Sequence, residues 1–406
     1  MLETDGRRLW DSLMAMAEIG ATANGGSSRL ALSGEDAAAR ALFVEWAEAA
    51  GLTIARDAIG NLFARRAGRE DRAPVILGSH LDTQPKGGRF DGVLGVLAAL
   101  EAVRTLNDQN IETLAPLEIA NWTNEEGARF TPAMLGSAVF TGAMPLDDGL
   151  ARTDADGICV ADSLAAIDQA GDTPLARELD AYFELHIEQG PVLEDNGHTV
   201  GVVTGGQAIR WLDVQISGSA AHAGTTPMPA RRDGMFAAAE FVRVLEYRVS
   251  ETPGLLATVG EMHVPNGSRN TIASDLHFTL DLRHPQDGVV DTAIDDLRDL
   301  FDGIARRRGV EYSLSVHWRS PALPFNHDCV ARVREAAAAL ECDWQDIISG
   351  AGHDAFNLAR HCPTAMIFIP CADGLSHHEA ESIEPEHAKI GADVLLNAVL
   401  ARAGRA

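Results

Sequence analysis

The sequence predicts an α/β protein with a mixed sheet and a smaller α+β unit inserted into it. Three observations lead to this prediction. Short apolar runs alternate with helical patterns at both ends of the chain, which is typical of a sheet with helices on its faces. Strictly alternating segments occupy the middle and indicate half-exposed antiparallel strands. The length of 406 residues exceeds what one hydrophobic core usually supports, so two domains are expected.

Hydrophobic periodicity defines the elements of the α/β part. Residues 35–50 carry apolar side chains at helical spacing, and residues 92–106 are apolar nearly all round, which predicts a buried helix. Residues 143–180 are polar and acidic and predict a loop-rich excursion. The predicted buried strands are 74–80, 117–122, 182–188 and 364–370, and a further helix is predicted at 328–341.

The middle of the chain has a different hydrophobic periodicity, and it forms the predicted insertion. Segments 210–216 and 275–283 alternate apolar and polar residues, as antiparallel strands with one covered face do. Helices that would cover that face are predicted near 230–248 and 288–308. The predicted bounds are 1–208 with 325–406 for the α/β domain and 209–324 for the insertion.

Composition excludes several classes of protein. A formal net charge of −26 repels nucleic acids and anionic membranes. No apolar stretch approaches the length of about eighteen residues that a membrane span needs, and the N-terminus carries no pattern typical of a secretion signal. Five cysteines without a CxxC pair favour a reducing cytoplasm over a disulfide framework. The sequence contains no GxSxG motif, which a serine hydrolase would need, and no GxGxxG or GK[ST] motif, which a nucleotide enzyme would need.

The most informative segment is GSHLDTQPKGGRFDG (78–92), which contains His80 and Asp91 just after an apolar strand. Glu125 and Glu126 follow the next predicted strand. Imidazole and carboxylate are the groups that a hydrolytic zinc or manganese centre needs. Because open α/β sheets carry their sites at the carboxyl ends of strands, we expect these side chains to lie close together. Glu126 would then bind metal while Glu125 handles protons.

Two further histidines extend this set. His186 ends a strand in HIEQG (186–190), and His377 follows the last predicted strand in GLSHHEAE (374–381). Alone, each histidine is more often a satisfied polar residue, and Asp91 is explained as a carboxylate at a helix N-terminus. Together with Glu126 and His80, the five side chains are enough for two metal ions that share Asp91.

Two assignments have alternatives. Strand alternation would put Asp82 on the same side as His80, where its carboxylate could accept a hydrogen bond from the ring nitrogen that does not bind metal. A helix or turn cap is the other interpretation of Asp82. His378 competes with its neighbour His377 as a metal ligand.

These motifs resemble the cytoplasmic di-metal amidohydrolases that include N-carbamoyl-L-amino-acid hydrolase, β-ureidopropionase and allantoate amidohydrolase. These enzymes are related to the aminoacylases and di-zinc carboxypeptidases. The resemblance covers most of the chain in the right order. Besides the segments above, it is carried by NEEGARF (124–130), HIEQGPVLE (186–194), SGSAAHAGTTPMPARRD (217–233), SRNTIASD (268–275), LDLRHP (280–285) and SGAGHDA (349–355).

The resemblance implies a di-zinc exopeptidase-like catalytic domain with an inserted lid and dimerisation domain. It implies a homodimer that cleaves the ureido bond of a small carboxylate, with two divalent metal ions per chain. Zinc is the first candidate, and this ligand set also accepts manganese, cobalt or nickel. The implied ligands are His80, Asp91, Glu126, His186 and His377, with Asp91 bridging. The implied catalytic and substrate-binding residues are Glu125 as general base, Asp82, Gln189, His222, Asn270, Arg283 and His353.

Physical chemistry gives two of these roles independent support. Arg283 ends the polar face of segment 275–283, and a guanidinium matches a carboxylate bidentately. An ordinary edge-strand salt bridge is the alternative for this residue. His222 lies among small residues and could stabilise an oxyanion, and the resemblance places it in the partner's site. N-carbamoyl amino acids, N-carbamoyl-β-alanine and allantoate all remain candidate substrates, and a non-catalytic metal-dependent binding protein is the alternative of another class.

Overall fold

The computed structural model describes residues 1–265 and 267–406. It divides into two compact units, one formed by Met1–Gly205 with Pro324–Ala406 and the other by Gly206–Leu323. We call them the large unit and the inserted unit. The predicted α/β class with a mixed sheet is confirmed.

The elements are numbered along the chain. The strands are β1 (Thr53–Arg56), β2 (Leu62–Arg66), β3 (Val75–His80), β4 (Leu117–Trp122), β5 (Ala181–Ile187), β6 (Val200–Gly206), β7 (Ala208–Ser217), β8 (Leu256–Thr258), β9 (Met262–His263), β10 (Asp275–His284), β11 (Glu311–Ser320), β12 (Leu323–Pro324), β13 (Trp344–Ser349) and β14 (Thr364–Ile369). The α-helices are α1 (Gly6–Ala17), α2 (Gly34–Ala49), α3 (Val93–Asp108), α4 (Leu135–Phe140), α5 (Leu146–Leu150), α6 (Val160–Ala166), α7 (Val192–Asn196), α8 (Gly234–Ser250), α9 (Asp287–Arg308), α10 (His327–Ala339), α11 (Asp354–Leu358) and α12 (Pro385–Ala403). Short 3₁₀ helices cover Met228–Ala230 and Ala372–Gly374.

A mixed sheet forms the centre of the large unit. Within the described residues it has nine strands in the order β1-β2-β4-β3-β5-β14-β6-β12, and β13 also pairs with β6. The central strands β4, β3, β5 and β14 are parallel, whereas β2 and β6 flank them antiparallel. All four are buried along their whole length, as parallel strands under helices are. Their carboxyl ends therefore meet at one edge, which we call the carboxyl edge.

Helices α3 and α12 pack on these parallel strands. As predicted, α3 is buried on nearly every side, because it packs on the sheet and is also covered by α12 and α1. The sequence analysis did not predict α12, since its apolar residues are spread around the helix and form no single stripe. None of the helices in the described part of the chain is long and apolar enough to span a bilayer.

The inserted unit is an antiparallel sheet covered by two helices. Its strand order is β11-β7-β10-β8, with β9 also paired to β10. Helices α8 and α9 cover one face, where Phe241 stacks on Phe301 with ring centroids 4.0 Å apart. The residues predicted to face the core are buried, namely Leu212, Val214, Ile216, Leu276, Phe278, Leu280 and Leu282.

Residues 143–180 consist mostly of turns and irregular loop, as predicted. They contain the short helices α5 and α6. Val160 and Leu164 of α6 belong to a small buried cluster that also includes Ile59. A few buried apolar side chains therefore hold the segment in place, although its overall composition is polar.

Candidate metal centre and active site

The carboxyl edge collects the residues predicted to bind metal. His80 is the last residue of β3, and Asp91 lies just before α3. The strand register β3–β4 puts His80 opposite Trp122, and the register β5–β14 puts His186 opposite Phe368. The other predicted residues follow the same strands, Glu125 and Glu126 after β4 and His377 after β14.

Asp91 lies at the centre of the cluster. Its Oδ1 is 3.5 Å from His80 Nε2 and 3.1 Å from His186 Nε2. Its Oδ2 is 3.5 Å from His377 Nε2, which in turn lies 3.3 Å from Glu126 Oε2. These contacts define two groups that could hold a metal ion, and both contain Asp91. In each group the ligand atoms lie within 4.8 Å of one another. Their members are His80, Asp91 and His186 in one group and Asp91, Glu126 and His377 in the other.

The donor set fits divalent cations. His80 Nε2 is buried without a hydrogen-bond partner among the described residues, whereas Nδ1 lies 2.9 Å from the backbone oxygen of Asp82. In residues 1–265 and 267–406, the ion pairs of the clustered carboxylates involve only histidines. Buried carboxylates without a lysine or arginine need another source of positive charge. Two metal ions sharing Asp91 would supply it.

The pKa shifts distinguish Asp91 from the two glutamates. Burial raises the pKa of Glu125 well above its ordinary value. Burial, together with the charge of Asp91, raises the pKa of Glu126 to about 8. Burial also opposes ionisation of Asp91, but the contacts with His186 and His80 outweigh it and hold the Asp91 pKa well below its ordinary value. Asp91 is therefore suited to remaining an anionic ligand, whereas both glutamates readily hold a proton when no metal is bound.

Glu125 is fixed by its backbone as well as by its surroundings. Its Oε2 lies 3.5 Å from His80 Nε2, and its carbonyl oxygen accepts the N–H of Met134 at 2.7 Å. The backbone N–H groups of Glu125 and Glu126 donate to the two oxygens of the Asp82 carboxylate at 3.2 and 3.3 Å. The loop that carries the carboxylate pair is therefore held from both sides.

This arrangement corrects the predicted contact of Asp82. Its carboxylate does not accept a hydrogen bond from the His80 ring, since Oδ1 lies 3.9 Å from Nδ1. The backbone carbonyl of Asp82 takes that place. The reason is that β3 ends at His80, so strand alternation does not extend to Asp82. The carboxylate instead orders the Glu125–Glu126 loop.

His377 rather than His378 faces the cluster. Both histidines are exposed, but only His377 contacts Asp91 and Glu126, whereas Nδ1 of His378 accepts the backbone N–H of Ala380 at 3.1 Å. Gln189, predicted to contact substrate, donates its Nε2 to Asp91 Oδ2 at 2.8 Å. A side chain in that position steadies the shared carboxylate and borders the space beside it.

His353 also belongs to this edge. It is buried, and its ring centroid lies 4.5 Å from that of His186. Burial and the charge of His186 hold its pKa well below the ordinary value, and its Nε2 has no hydrogen-bond partner in the described part of the chain. His353 is thus a neutral imidazole beside a predicted ligand, and its contact with substrate remains a prediction.

Sequence reasoning missed a layer of buried acids around the ligands. Glu184 lies two residues before His186 in β5 and therefore on the same face, a signal that strand alternation offered. It forms a third group with His186 and His353 that could hold a metal ion, but its oxygens already accept the hydroxyls of Ser79 at 2.6 Å and Tyr182 at 3.0 Å. The other missed acids are Asp354 and Glu381, and for Glu381 burial together with the charge of Asp91 raises the pKa to about 7.

The inserted unit contains the other three predicted residues. His222 and Asn270 lie side by side, since the N–H of Ala223 donates to the Asn270 carbonyl at 2.9 Å and His222 forms a β-bridge with Thr271. His222 is exposed, and its Nδ1 accepts the N–H of Gly224 at 3.0 Å. The structure therefore brings two predicted substrate contacts into one loop pair.

Arg283 lies at the opposite end of the same sheet. It pairs in register with Ile209, whereas Asp275, at the His222 end of β10, pairs with Ser217. The eight steps along the strand from Asp275 to Arg283 span about 26 Å, at about 3.3 Å per residue. The Arg283 guanidinium is 2.7 Å from Asp281 Oδ2, so the salt bridge considered as its alternative role is formed here.

Comparisons with known proteins agree with this geometry. Residues 76–401 match the model of peptidase family M20/M25/M40. An N-carbamoyl-L-amino-acid amidohydrolase of Rhizobium meliloti is 45% identical over 396 residues, which cover 97% of this chain and 95% of that protein. A ureidoglycolate hydrolase of Arabidopsis thaliana is 35% identical over 387 residues, covering 91% and 80%. The crystal structure of a hydantoinase/carbamoylase family amidase from Burkholderia ambifaria superposes with a TM-score of 0.96 at 58% identity, covering 100% of this chain and 99% of that one.

A carboxyl edge with two imidazole–carboxylate groups around one shared aspartate is the arrangement of a metallohydrolase. The similarity extends over nearly the whole chain and includes the site. The chain belongs to peptidase family M20/M25/M40, a dimetal-dependent family, and is a hydrolase acting on non-peptide C–N bonds. The family predicted from the motifs is thereby confirmed.

Proposed function

We propose that this enzyme hydrolyses the ureido bond of N-carbamoyl-L-amino acids and releases the amino acid, carbon dioxide and ammonia. The observation that supports this most is the pair of ligand groups sharing Asp91, with buried Glu125 3.5 Å from His80 Nε2. The activity for which the Rhizobium meliloti relative is named, N-carbamoyl-L-amino-acid amidohydrolase, supports the substrate class. The ureidoglycolate hydrolase relative makes other ureido carboxylates the natural competitors in any test.

Two divalent ions, zinc being the first candidate, would be held by the two groups. His80 and His186 would serve one ion, Glu126 and His377 the other, and Asp91 both. When bound, the ions lower the pKa of a water molecule and polarise the carbonyl group. Manganese, cobalt and nickel suit the same nitrogen and oxygen donors.

The residues of the chain would carry the proton transfers. Glu125 accepts a proton from the attacking water, and its buried carboxylate then delivers that proton to the leaving amino nitrogen. His222 donates a hydrogen bond to the oxyanion. Arg283 leaves its salt bridge with Asp281 and binds the substrate carboxylate. One water is consumed, and the carbamic acid released decomposes to carbon dioxide and ammonia.

We infer further that the enzyme is a homodimer with shared sites. His222 and Asn270 lie at one end of β10 and Arg283 at the other, about 26 Å apart along the strand. An N-carbamoyl amino acid is no longer than two extended residues, about 7 Å. Both ends can therefore contact one substrate only when they come from two protomers.

Mixed dimers test this inference. Two variants, His222→Ala and Glu125→Gln, should each be nearly inactive alone. Co-assembly should restore part of the activity, because one of the two sites in a mixed dimer then has both wild-type residues. Absence of recovery in dimers shown by mass to be mixed would mean that each site is self-contained.

A substrate panel tests the proposed chemistry. Ammonia release should be fastest with N-carbamoyl-L-amino acids, slower with N-carbamoyl-β-alanine and allantoate, and poor with neutral amide analogues that lack the carboxylate. Arg283→Lys should lower kcat/KM for the carboxylates, because lysine lacks the bidentate fork. Arg319→Lys, on strand β11 of the same sheet and paired with Asp291 at 3.3 Å, is the matched control and should have little effect. Equal hydrolysis of the neutral amides by the wild type would refute the substrate class.

We also propose that the enzyme works in a reducing compartment, the cytoplasm. All five cysteines are free. Burial raises the pKa of Cys329 and Cys371 to about 11 and that of Cys362 to about 12, so these thiols are poorly reactive small hydrophobes. Cell fractionation should recover the activity with cytosolic markers, and recovery with secreted proteins would contradict the proposal.

A further inference from the structure

Glu381 is a buried carboxylate that the chemistry above does not use. It lies four residues after His377 and is 1% exposed. Within residues 1–265 and 267–406 it has no ion pair, and its hydrogen bonds come from the backbone of Phe90 and Asp91 and from the Ser376 hydroxyl. Burying a carboxylate without a cationic partner is costly, so its presence calls for an explanation.

The hydrogen bonds of Glu381 converge on one residue. Its Oε1 accepts the backbone N–H of Phe90 at 3.0 Å and that of Asp91 at 3.1 Å. Its Oε2 lies 2.9 Å from Ser376 Oγ, and the same hydroxyl lies 2.9 Å from Asp91 Oδ2. The Glu381 carboxylate therefore holds the backbone of Asp91 directly and shares the single hydroxyl hydrogen of Ser376 with the Asp91 side chain.

The same contacts join two distant segments. The loop before Asp91 wraps closely around the Glu381 carboxyl group, and a Cβ atom at Gly88 would overlap it. Ser376 immediately precedes His377. Glu381 thus connects the loop of the shared carboxylate to the segment of the histidine that faces its second oxygen.

We propose that Glu381 is a positioning residue that holds Asp91 in the orientation in which each carboxylate oxygen serves a different metal ion. The inference rests on the di-metal site of the proposed function. Metal coordination tolerates deviations of about 0.2 Å, and rotation of an unsupported aspartate exceeds this. Residues that orient ligands typically contribute roughly 10–100-fold to metal affinity.

Zinc titration of the metal-free protein tests the proposal. Calorimetry should show two zinc ions per chain for the wild type and for the control Glu379→Gln, whose carboxylate accepts from Asn24 at the surface. Glu381→Gln and Glu381→Ala should bind at least one zinc roughly 10–100-fold more weakly. The visible spectrum of the cobalt-substituted protein should also shift in the Glu381 variants and not in Glu379→Gln, because it reports ligand geometry.

The outcomes separate this inference from the proposed function. Two zinc ions bound by Glu381→Ala with wild-type affinity would overturn the positioning role and leave the di-metal hydrolase intact, whereas a wild type that binds no zinc would overturn both. Should Glu381→Ala fail to fold, Ser376→Ala decides, since it removes only the bridging hydroxyl. Weakened zinc binding at an unchanged metal-free Tm supports the proposal, and unchanged binding overturns it.

Discussion

A methyl group at Gly92 should disable the metal centre by displacing His80. Gly92 has φ +67°, and a Cβ atom there would lie well inside van der Waals contact with three atoms of the His80 ring. Backbone strain at positive φ costs about 1–3 kcal/mol, and overpacking a buried site costs about 1–3 kcal/mol more. Gly92→Ala should therefore lower the free energy of unfolding by about 2–6 kcal/mol in denaturant titrations.

The effect on function follows from the same overlap. Relieving the clash moves the ring by far more than the roughly 0.2 Å that metal coordination tolerates. Metal affinity should fall at least about tenfold, and kcat/KM by roughly 100-fold, as misplacements near 1 Å do. Metal analysis after dialysis and ammonia release measure the two quantities.

Gly51→Ala is the matched control for the backbone strain. Gly51 also has a positive φ, +81°, but nothing lies within 4 Å of the Cβ position. This variant should lose about 1–3 kcal/mol of stability and keep its metal and its kcat/KM. The reasoning is refuted if Gly92→Ala matches Gly51→Ala in all three measurements.

Three further perturbations have defined outcomes. Chelation should abolish ammonia release and added zinc or manganese should restore it, whereas full activity of a protein shown to be metal-free would exclude a metal role. Glu125→Gln should keep the metal content and lose roughly 10²–10⁴-fold in kcat, and joint loss of metal would mean that Glu125 and Glu126 have exchanged roles. Arg40→Ala should cost about 3–5 kcal/mol in denaturant unfolding, because it leaves Asp36, 2.9 Å away and fully buried, without its partner. The more exposed Arg334–Asp346 pair gives the comparison, with about 0–1 kcal/mol expected for Arg334→Ala, and equal losses would contradict the argument from burial.

The sequence was sufficient to predict those strands and site residues whose positions follow from a local hydrophobic pattern. Buried strands predicted from apolar runs end within one residue of the observed strand ends, so the carboxyl edge and the residues that follow it could be predicted. Period-two alternation correctly gave the covered face of β10. The clustering of His80, Asp91 and His186 followed from parallel pairing of their strands.

Other features depend on long-range geometry that no local pattern encodes. The contact of Asp82 depended on the course of the chain beyond β3, because the strand ends at His80 and the carboxylate turns to the Glu125–Glu126 backbone. Arg283 and Asn270 are close in sequence, yet the length of β10 separates them. Glu381 could not be assigned from sequence because its partners are backbone N–H groups of a loop nearly three hundred residues earlier.

The place of β14 in the sheet has a consequence for how the protein is made. It is the last strand of the chain, yet it lies inside the sheet between β5 and β6. While the ribosome is still synthesising residues 364–369, two apolar strands expose unpaired backbone, and such open edges recruit other chains. A nascent or prematurely terminated chain therefore leaves both strands open to pairing with other chains. Because His377 follows β14, the predicted ligand set is complete only after translation has passed this strand.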